Sequence, residues 1–195
     1  SDHTKAFRFA FAKAQANNLP FHAVHSAWQL AQSFLEEGND KDSNIWADEM
    51  YRLEDEIKDK EALAFVTGFR CRMAIELENQ ALAREHFTEY SKRLGSPRTA
   101  VSHSHLLALE LAIELLSKEW QPDVVAVQIL EKSLRKTGGF VPSDFIASVT
   151  IESRLRIRDT RNAATAAEQY LFGIRRQKCT PAVRLAKSLR ELGGT

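Results

Sequence analysis

The sequence predicts an all-α fold of about ten helices, and three observations support this class. Apolar residues recur at intervals of three and four positions, as at Leu106, Leu109 and Ile113, which is the spacing of one helix face. No alternating strand pattern persists, and no Asn-Gly or Asp-Gly pair marks a hairpin turn. Glycine and proline together make up only 13 of the 195 residues, so few positions interrupt a helix.

Turn-forming residues divide the first half of the chain into five predicted helices. The stretch "NNLP" at residue 17 ends the first helix, and Gly38 in "EGNDKDS" ends the second because glycine can take the left-handed conformation. The stretches "KDK" at 58, "LEN" at 77 and "LGSP" at 94 end the next three. These helices are predicted at 3–17, 21–37, 44–57, 60–77 and 79–94.

Helix-start signals define the elements of the second half. The pairs "SP" at 96 and "TP" at 180 place a hydroxyl at the N-cap and a proline at the first helical position, where its missing N–H costs nothing. The stretches "PD" at 122 and "PSD" at 142 place an acid near the positive end of a helix dipole. "GG" at 138 and "RDTRN" at 158 separate helices. The predicted helices are 98–118, 122–136, 143–157, 161–177 and 181–191.

The composition is that of a folded protein outside the membrane, with 44% hydrophobic and 27% charged residues. No apolar run approaches the roughly 18 residues of a membrane span, and no signal-peptide core follows the N-terminus. The two cysteines, Cys71 and Cys179, fit a reducing compartment. We therefore expect a cytoplasmic protein with no membrane contact. Because the chain begins "SDHTKAF" without a methionine, we expect it to be part of a longer protein.

An internal repeat of helix pairs runs along the chain. An alanine followed four residues later by a large apolar residue recurs at positions 47, 83, 126 and 166. A small residue lies 14 to 19 positions before each alanine, in another helix. Small residues let two helix backbones approach closely, so the repetition predicts a stack of pairs that cover one another's apolar faces. The pairs are Ala47/Tyr51, Ala83/Phe87, Ala126/Leu130 and Ala166/Tyr170, preceded by Ala31, Gly68, Ala112 and Ala147.

This pattern resembles the tetratricopeptide-repeat (TPR) family, whose unit has an aromatic residue, Leu-Gly and Tyr in the first helix, then Ala, Phe and a final Pro. The unit that fits best contains Phe65, Thr67, Gly68, Cys71, Ala83, Phe87 and Pro97. The steps exceed the family's roughly 34 residues, so the resemblance is to the degenerate, long-helix type attached to bacterial signalling and regulatory proteins. It implies a right-handed α-α superhelix in one domain, 1–195. Helix pairs would occupy 21–58, 60–95, 98–137 and 142–178, between capping segments 1–20 and 180–195.

The resemblance also implies a function, namely a non-catalytic protein-interaction or scaffold domain that regulates a larger bacterial protein. Its first helices would line a concave groove that binds a peptide or helix. The family's clamp for C-terminal carboxylates uses Lys and Asn, which are missing here. The alternative is that these side chains are core, covered by the N-terminal helix. The implied groove residues are His25, Trp28, Gln32, Phe65, Phe69, Arg72, Met73, Leu109 and Ile113.

The charges are distributed unevenly. Residues 36–61 hold eleven acids against four bases, a net charge of −7, and residues 152–190 hold ten bases against three acids, a net charge of +7. Segments of opposite charge can attract one another between two copies of the chain, so we expect a possible homo-oligomer. Arg154, Arg158 and Arg161 would share one face of a helix and form a basic row suited to phosphates. The favoured interpretation of this row is a solvated outer face, or contact with the acidic half of another copy. Nucleic-acid binding is the less favoured alternative, because the pI is about 7.8 and no aromatic residues are interleaved.

The sequence contains no familiar catalytic motif. Walker A, Gly-x-Ser-x-Gly, Gly-x-Gly-x-x-Gly and His-Glu-x-x-His are all missing, so we do not expect an enzyme. His22 and His25 are three residues apart and could share a helix face, but no third or fourth ligand lies nearby at helical spacing. We expect no metal and no cofactor. Small-molecule sensing in the groove stays open as a further alternative.

Overall fold

The computed structural model describes residues 2–95, 100–136, 144–177 and 183–194, and within them ten α-helices and no strand. The predicted all-α class is confirmed. No described helix has the length and apolar composition that a bilayer crossing requires. The helices are α1 (Asp2–Ala16), α2 (Pro20–Glu36), α3 (Asp40–Arg52), α4 (Lys60–Glu76), α5 (Gln80–Leu94), α6 (Ala100–Leu115), α7 (Val124–Lys136), α8 (Asp144–Arg156), α9 (Thr160–Gln177) and α10 (Val183–Gly193).

The observed helix bounds agree with the predicted ones to within three residues, except at α3. This helix begins at residue 40 because the side chain of Asn39 accepts a hydrogen bond from the backbone N–H of Asp42. It ends at residue 52, and the chain continues as a short 3-10 helix, Glu54–Glu56. The predicted helix starts at 96 and 180 and the predicted stop at 138 lie outside the described residues.

The helices form two compact units, Ser1–Gly95 and Ser96–Thr195. In the first unit α1 packs on α2, α3 packs on α2, and α5 packs on α4, so sequential pairs dominate, while α2 and α4 also meet. In the second unit α8 is central, since it contacts α6, α7, α9 and α10. Helix pairing of this kind agrees with the prediction, whereas the single domain and the right-handed superhelix stay predictions.

Four of the described turns share one geometry. In each, a residue with positive φ donates its N–H to the carbonyl three residues back, and the next residue donates to the carbonyl five residues back, which is a Schellman motif. That next residue is also the N-cap of the following helix, and in three of the turns its side chain accepts a capping hydrogen bond. The positive-φ residues are Asn18, Gly38, Glu78 and Arg158. We call the interval from Gly38 to Glu78 the turn period. Two further periods lead to Arg158, although Lys118, at the intermediate position, does not have positive φ.

The turn period corrects the register of the predicted repeat. Tyr51 and Phe87, the large residues of the first two predicted pairs, are only half-buried. Two sets of positions one turn period apart are buried throughout, namely Ala31, Cys71, Leu111 and Ile151, and Met50, Tyr90, Leu130 and Tyr170. The small residues do lie at close helix contacts, because Ala47, Ala83 and Ala166 are buried and Ala126 is half-buried. A Cβ atom added to Gly68 would lie 3.1 Å from Cε2 of Tyr90.

Candidate functional site

Three of the predicted groove residues form a half-buried strip on α2. His25, Trp28 and Gln32 lie on one helix face, and the ring centroids of His25 and Trp28 are 5.7 Å apart. Gln32 Nε2 donates a hydrogen bond of 3.0 Å to Glu36 Oε1. Burial, and then the nearby His22, lower the pKa of His25. Trp28, and Met73 on α4, are partly buried and pack against the core of the first unit.

The other groove residues do not form an open surface. Phe69, Leu109 and Ile113 are buried, which does not fit their prediction as groove residues. Phe69 belongs to the same core cluster as Phe11 of the N-terminal helix, in agreement with the core alternative. Arg72 is also buried and forms an ion pair with Glu76 at 3.3 Å. The side chain of Phe65 lies outside the described ones. Phe69 and Arg72 are buried because helix α4 is covered on several sides. The mapping from the groove positions of the TPR family assumed instead that one face of this helix is open.

The predicted basic row does not exist as one helix face. Helix α8 ends at residue 156 and α9 begins at residue 160, so Arg158 lies in a turn and Arg161 lies on the next helix. Arg154 is only 4% exposed and points into the second unit. Its guanidinium donates to both carboxylate oxygens of Glu131, at 2.7 and 2.8 Å, and to Asp159 at 3.0 Å. The expected solvent face is therefore replaced by an internal ion network.

The electrostatics of this network agree with its geometry. The hydrogen bonds to Glu131 raise the pKa of Arg154 above its ordinary value. Hydrogen bonds from Asn162, with a further contribution from Arg154, lower the pKa of Asp159. Asp159 also caps α9, because its Oδ1 accepts the N–H of Asn162 at 3.2 Å. One carboxylate thus joins the end of α8 to the start of α9.

Two further arginines of the second unit also form their hydrogen bonds within that unit. Arg156 donates to the carbonyl oxygens of Ser117 and Leu115 at 2.6 and 2.9 Å, which satisfies the C-terminal end of α6. Arg184 on α10 forms a two-point contact with Glu152 on α8, at 3.1 and 2.7 Å. Because these arginines bind groups within the unit, the net charge of residues 152–190 is larger than the positive charge that a partner could contact.

The acidic segment of the first unit is partly neutralised in the same way. Glu54 forms ion pairs with Arg70 at 2.6 Å and with Arg93 at 2.9 Å. Arg70 also lies 4.3 Å from the ring centroid of Tyr51, and burial raises the pKa of that phenol to about 12. This cluster joins α3, α4 and α5. The homo-oligomer predicted from whole acidic and basic segments stays a prediction.

The described residues offer little reactive chemistry. Within them, no three His, Cys, Asp or Glu side chains are grouped so that they could hold a metal ion. Cys71 is buried on α4, its Sγ lies 3.5 Å from the carbonyl oxygen of Ala83, and burial raises its thiol pKa to about 12. A neutral, buried thiol behaves as a small hydrophobe. Cys179 lies outside the described residues.

Among the described residues, the outer side of α7 carries a group of exposed apolar side chains that the sequence analysis missed. Val124, Val125 and Ile129 are exposed, with Val125 exposed to 61%. On the inner side Val127 and Leu130 are buried against the second unit. We call the exposed set, together with the exposed side chains of Gln128 and Lys132, the α7 face. The sequence places Val125 and Ile129 on one face of α7 and Val127 and Leu130 on another, but it does not show which of the two faces packs against the rest of the unit.

Comparison with known proteins does not identify a family for this chain. No protein-family model matches the chain, and neither a curated protein nor a solved structure is significantly similar to it.

Proposed function

We propose that this chain is a non-catalytic protein-interaction domain that serves as a regulatory module of a larger protein. The observation that carries the proposal is the α7 face, where β-branched apolar side chains lie exposed beside one another. Grouped exposed apolar residues with a polar rim are typical of protein-binding surfaces. An amphipathic helix or an extended peptide of a partner could lay its apolar side on this face.

The packing around α7 supports its role as a docking surface. Helix α7 contacts α6, α8 and α9, so its outer side chains are held on a supported helix rather than on a loop. A surface that is ordered before binding loses less conformational entropy when a partner docks. We include in the proposal a TPR-like stacking of the pairs, with the half-buried strip at His25, Trp28 and Gln32 as a secondary contact surface.

The two alternative functions have less support. Nucleic-acid binding loses the first cation of its predicted row, because Arg154 faces Glu131 and Asp159. Small-molecule sensing in the predicted groove loses three of its lining residues, because Phe69, Leu109 and Ile113 are packed in the core. A salt-sensitive gel shift with generic DNA or RNA would restore the first alternative.

The test compares two matched variants of the purified chain as bait in an extract of its own cells. Val125→Asp places a charge in the α7 face, and Ile45→Asp places one at the position two turn periods earlier, on α3, which is also apolar and 53% exposed. We expect a specific protein to be retained by the wild type and by Ile45→Asp, and to be lost with Val125→Asp. Circular dichroism melting should show that both variants remain folded, because neither side chain is core.

The result that contradicts the proposal is equally clear. If every protein retained by the wild type is also retained by Val125→Asp and by Ile129→Asp, the α7 face is not the docking surface. If both aspartates, on α3 and on α7, remove the same proteins, the retention reflects general surface hydrophobicity and not a specific partner.

A further inference from the structure

The two most exposed large apolar side chains among the described residues both belong to the first unit. Phe9 on α1 is 66% exposed, and Leu77, in the turn between α4 and α5, is 71% exposed. Phe9 lies on the opposite side of α1 from the buried Phe11, which is two residues and about 200° further around the helix. Leu77 is accompanied by the exposed Leu82. These two apolar points lie on different helix pairs.

Their surroundings carry opposite charges. Helix α1 contains three bases and one acid. Arg8 lies over the rings of Phe34 and Trp46, whereas the ammonium of Lys13 lies 5.6 Å from the ring centroid of Phe9. Residues 76–85 contain three acids and one base, and the exposed Glu78 directly follows Leu77. Glu78 is held by the backbone of the turn, at a φ of 54°. We call the side of α1 with Phe9 and Lys13 the α1 face, and the surface with Leu77, Glu78, Leu82 and Glu85 the α5 turn.

The geometry points to association of two copies of this chain, head to tail, with the α1 face of one copy against the α5 turn of the other. Pairing two α1 faces would oppose bases to bases, and pairing two α5 turns would oppose acids to acids. The unlike pairing buries an aromatic side chain beside two leucines and brings opposite charges together. Because every copy carries both surfaces, such a contact repeats into a chain or a ring. It uses no residue of the α7 face and does not rest on the proposed function.

The test uses two single variants and their mixture. Phe9→Ser disables the α1 face and leaves the α5 turn intact, whereas Leu77→Ser does the opposite. In sedimentation velocity at up to about 1 mM protein, where contacts of micromolar to millimolar Kd are populated, the wild type should form dimers and larger species. Each variant alone should be monomeric, with association weakened about tenfold or more. The equimolar mixture should form dimers only, since one working contact remains.

The control variant, the salt dependence and the outcomes that would overturn the proposal are as follows. Ile45→Ser removes an exposed apolar side chain elsewhere in the same unit and should associate like the wild type. Raised salt should weaken the contact, because its charges are exposed. The proposal is overturned if the wild type is monomeric throughout, if Phe9→Ser associates normally, or if the mixture stays monomeric. Lys13→Glu and Glu78→Lys provide a second pair that leaves the apolar residues in place, and their mixture should associate although neither does alone.

Discussion

Removing the guanidinium of Arg154 should destabilise the chain strongly, although the sequence alone places this residue on a solvent face. Arg154→Met leaves the carboxylates of Glu131 and Asp159 without the three hydrogen bonds that they now accept. Breaking a buried ion pair from one side typically costs about 3–5 kcal/mol. Replacing the whole network by Arg154→Met, Glu131→Leu and Asp159→Asn should cost less than about 2 kcal/mol, because no unpaired charge remains and asparagine can still cap α9.

Urea denaturation measures these free energies of unfolding from the transition midpoint and slope. Arg161→Met is the matched control, because Arg161 is exposed at the start of α9 and its loss should change stability by about 0.5 kcal/mol at most. The reasoning is refuted if Arg154→Met is as mild as Arg161→Met. Arg154 would then contribute no more to stability than an exposed arginine.

Three further predictions concern the first unit. Asn79→Ala removes the N-cap of α5 and should cost about 1 kcal/mol in urea denaturation; no change would mean that the cap contributes nothing. Gly68→Ala should cost about 1–2 kcal/mol despite the better helix propensity of alanine, because its Cβ would press on the buried ring of Tyr90. A more stable Gly68→Ala variant would contradict that close contact. In a Cys179→Ser background, Cys71 should resist a thiol reagent until the protein unfolds, because its pKa is about 12; rapid labelling of the native protein would contradict its burial.

The helices could be predicted because their ends carry strong local signals. Asparagine, glycine and proline mark most turns, and the apolar spacing between them is helical throughout. The repeat register could not be predicted as well, because two of the left-handed turn positions are Glu78 and Arg158, residues that seldom adopt positive φ. Without those positions, the alanines at 47, 83, 126 and 166 indicate only uneven steps in place of the regular turn period.

The candidate site was harder to predict because the charge or apolarity of a residue does not show whether its side chain faces the core or the solvent. Arg154 and Arg161 look alike in the sequence, yet one faces two carboxylates and the other faces solvent. Helix α8 is nearly uniform around its axis and is buried on several sides, so no open face can be deduced from its composition. Helix α7 is short and has apolar residues on both sides, and only its packing partners show which side remains exposed.

Site-specific photocrosslinking in living cells tests the central claim, docking of a protein on the α7 face, most directly. A photoreactive phenylalanine analogue would replace Val125 in one strain and Ile45 in another, since both side chains are exposed and apolar. The account predicts one discrete protein adduct from position 125 that is missing from position 45. Equal adducts from both positions, or an adduct with nucleic acid, would contradict it.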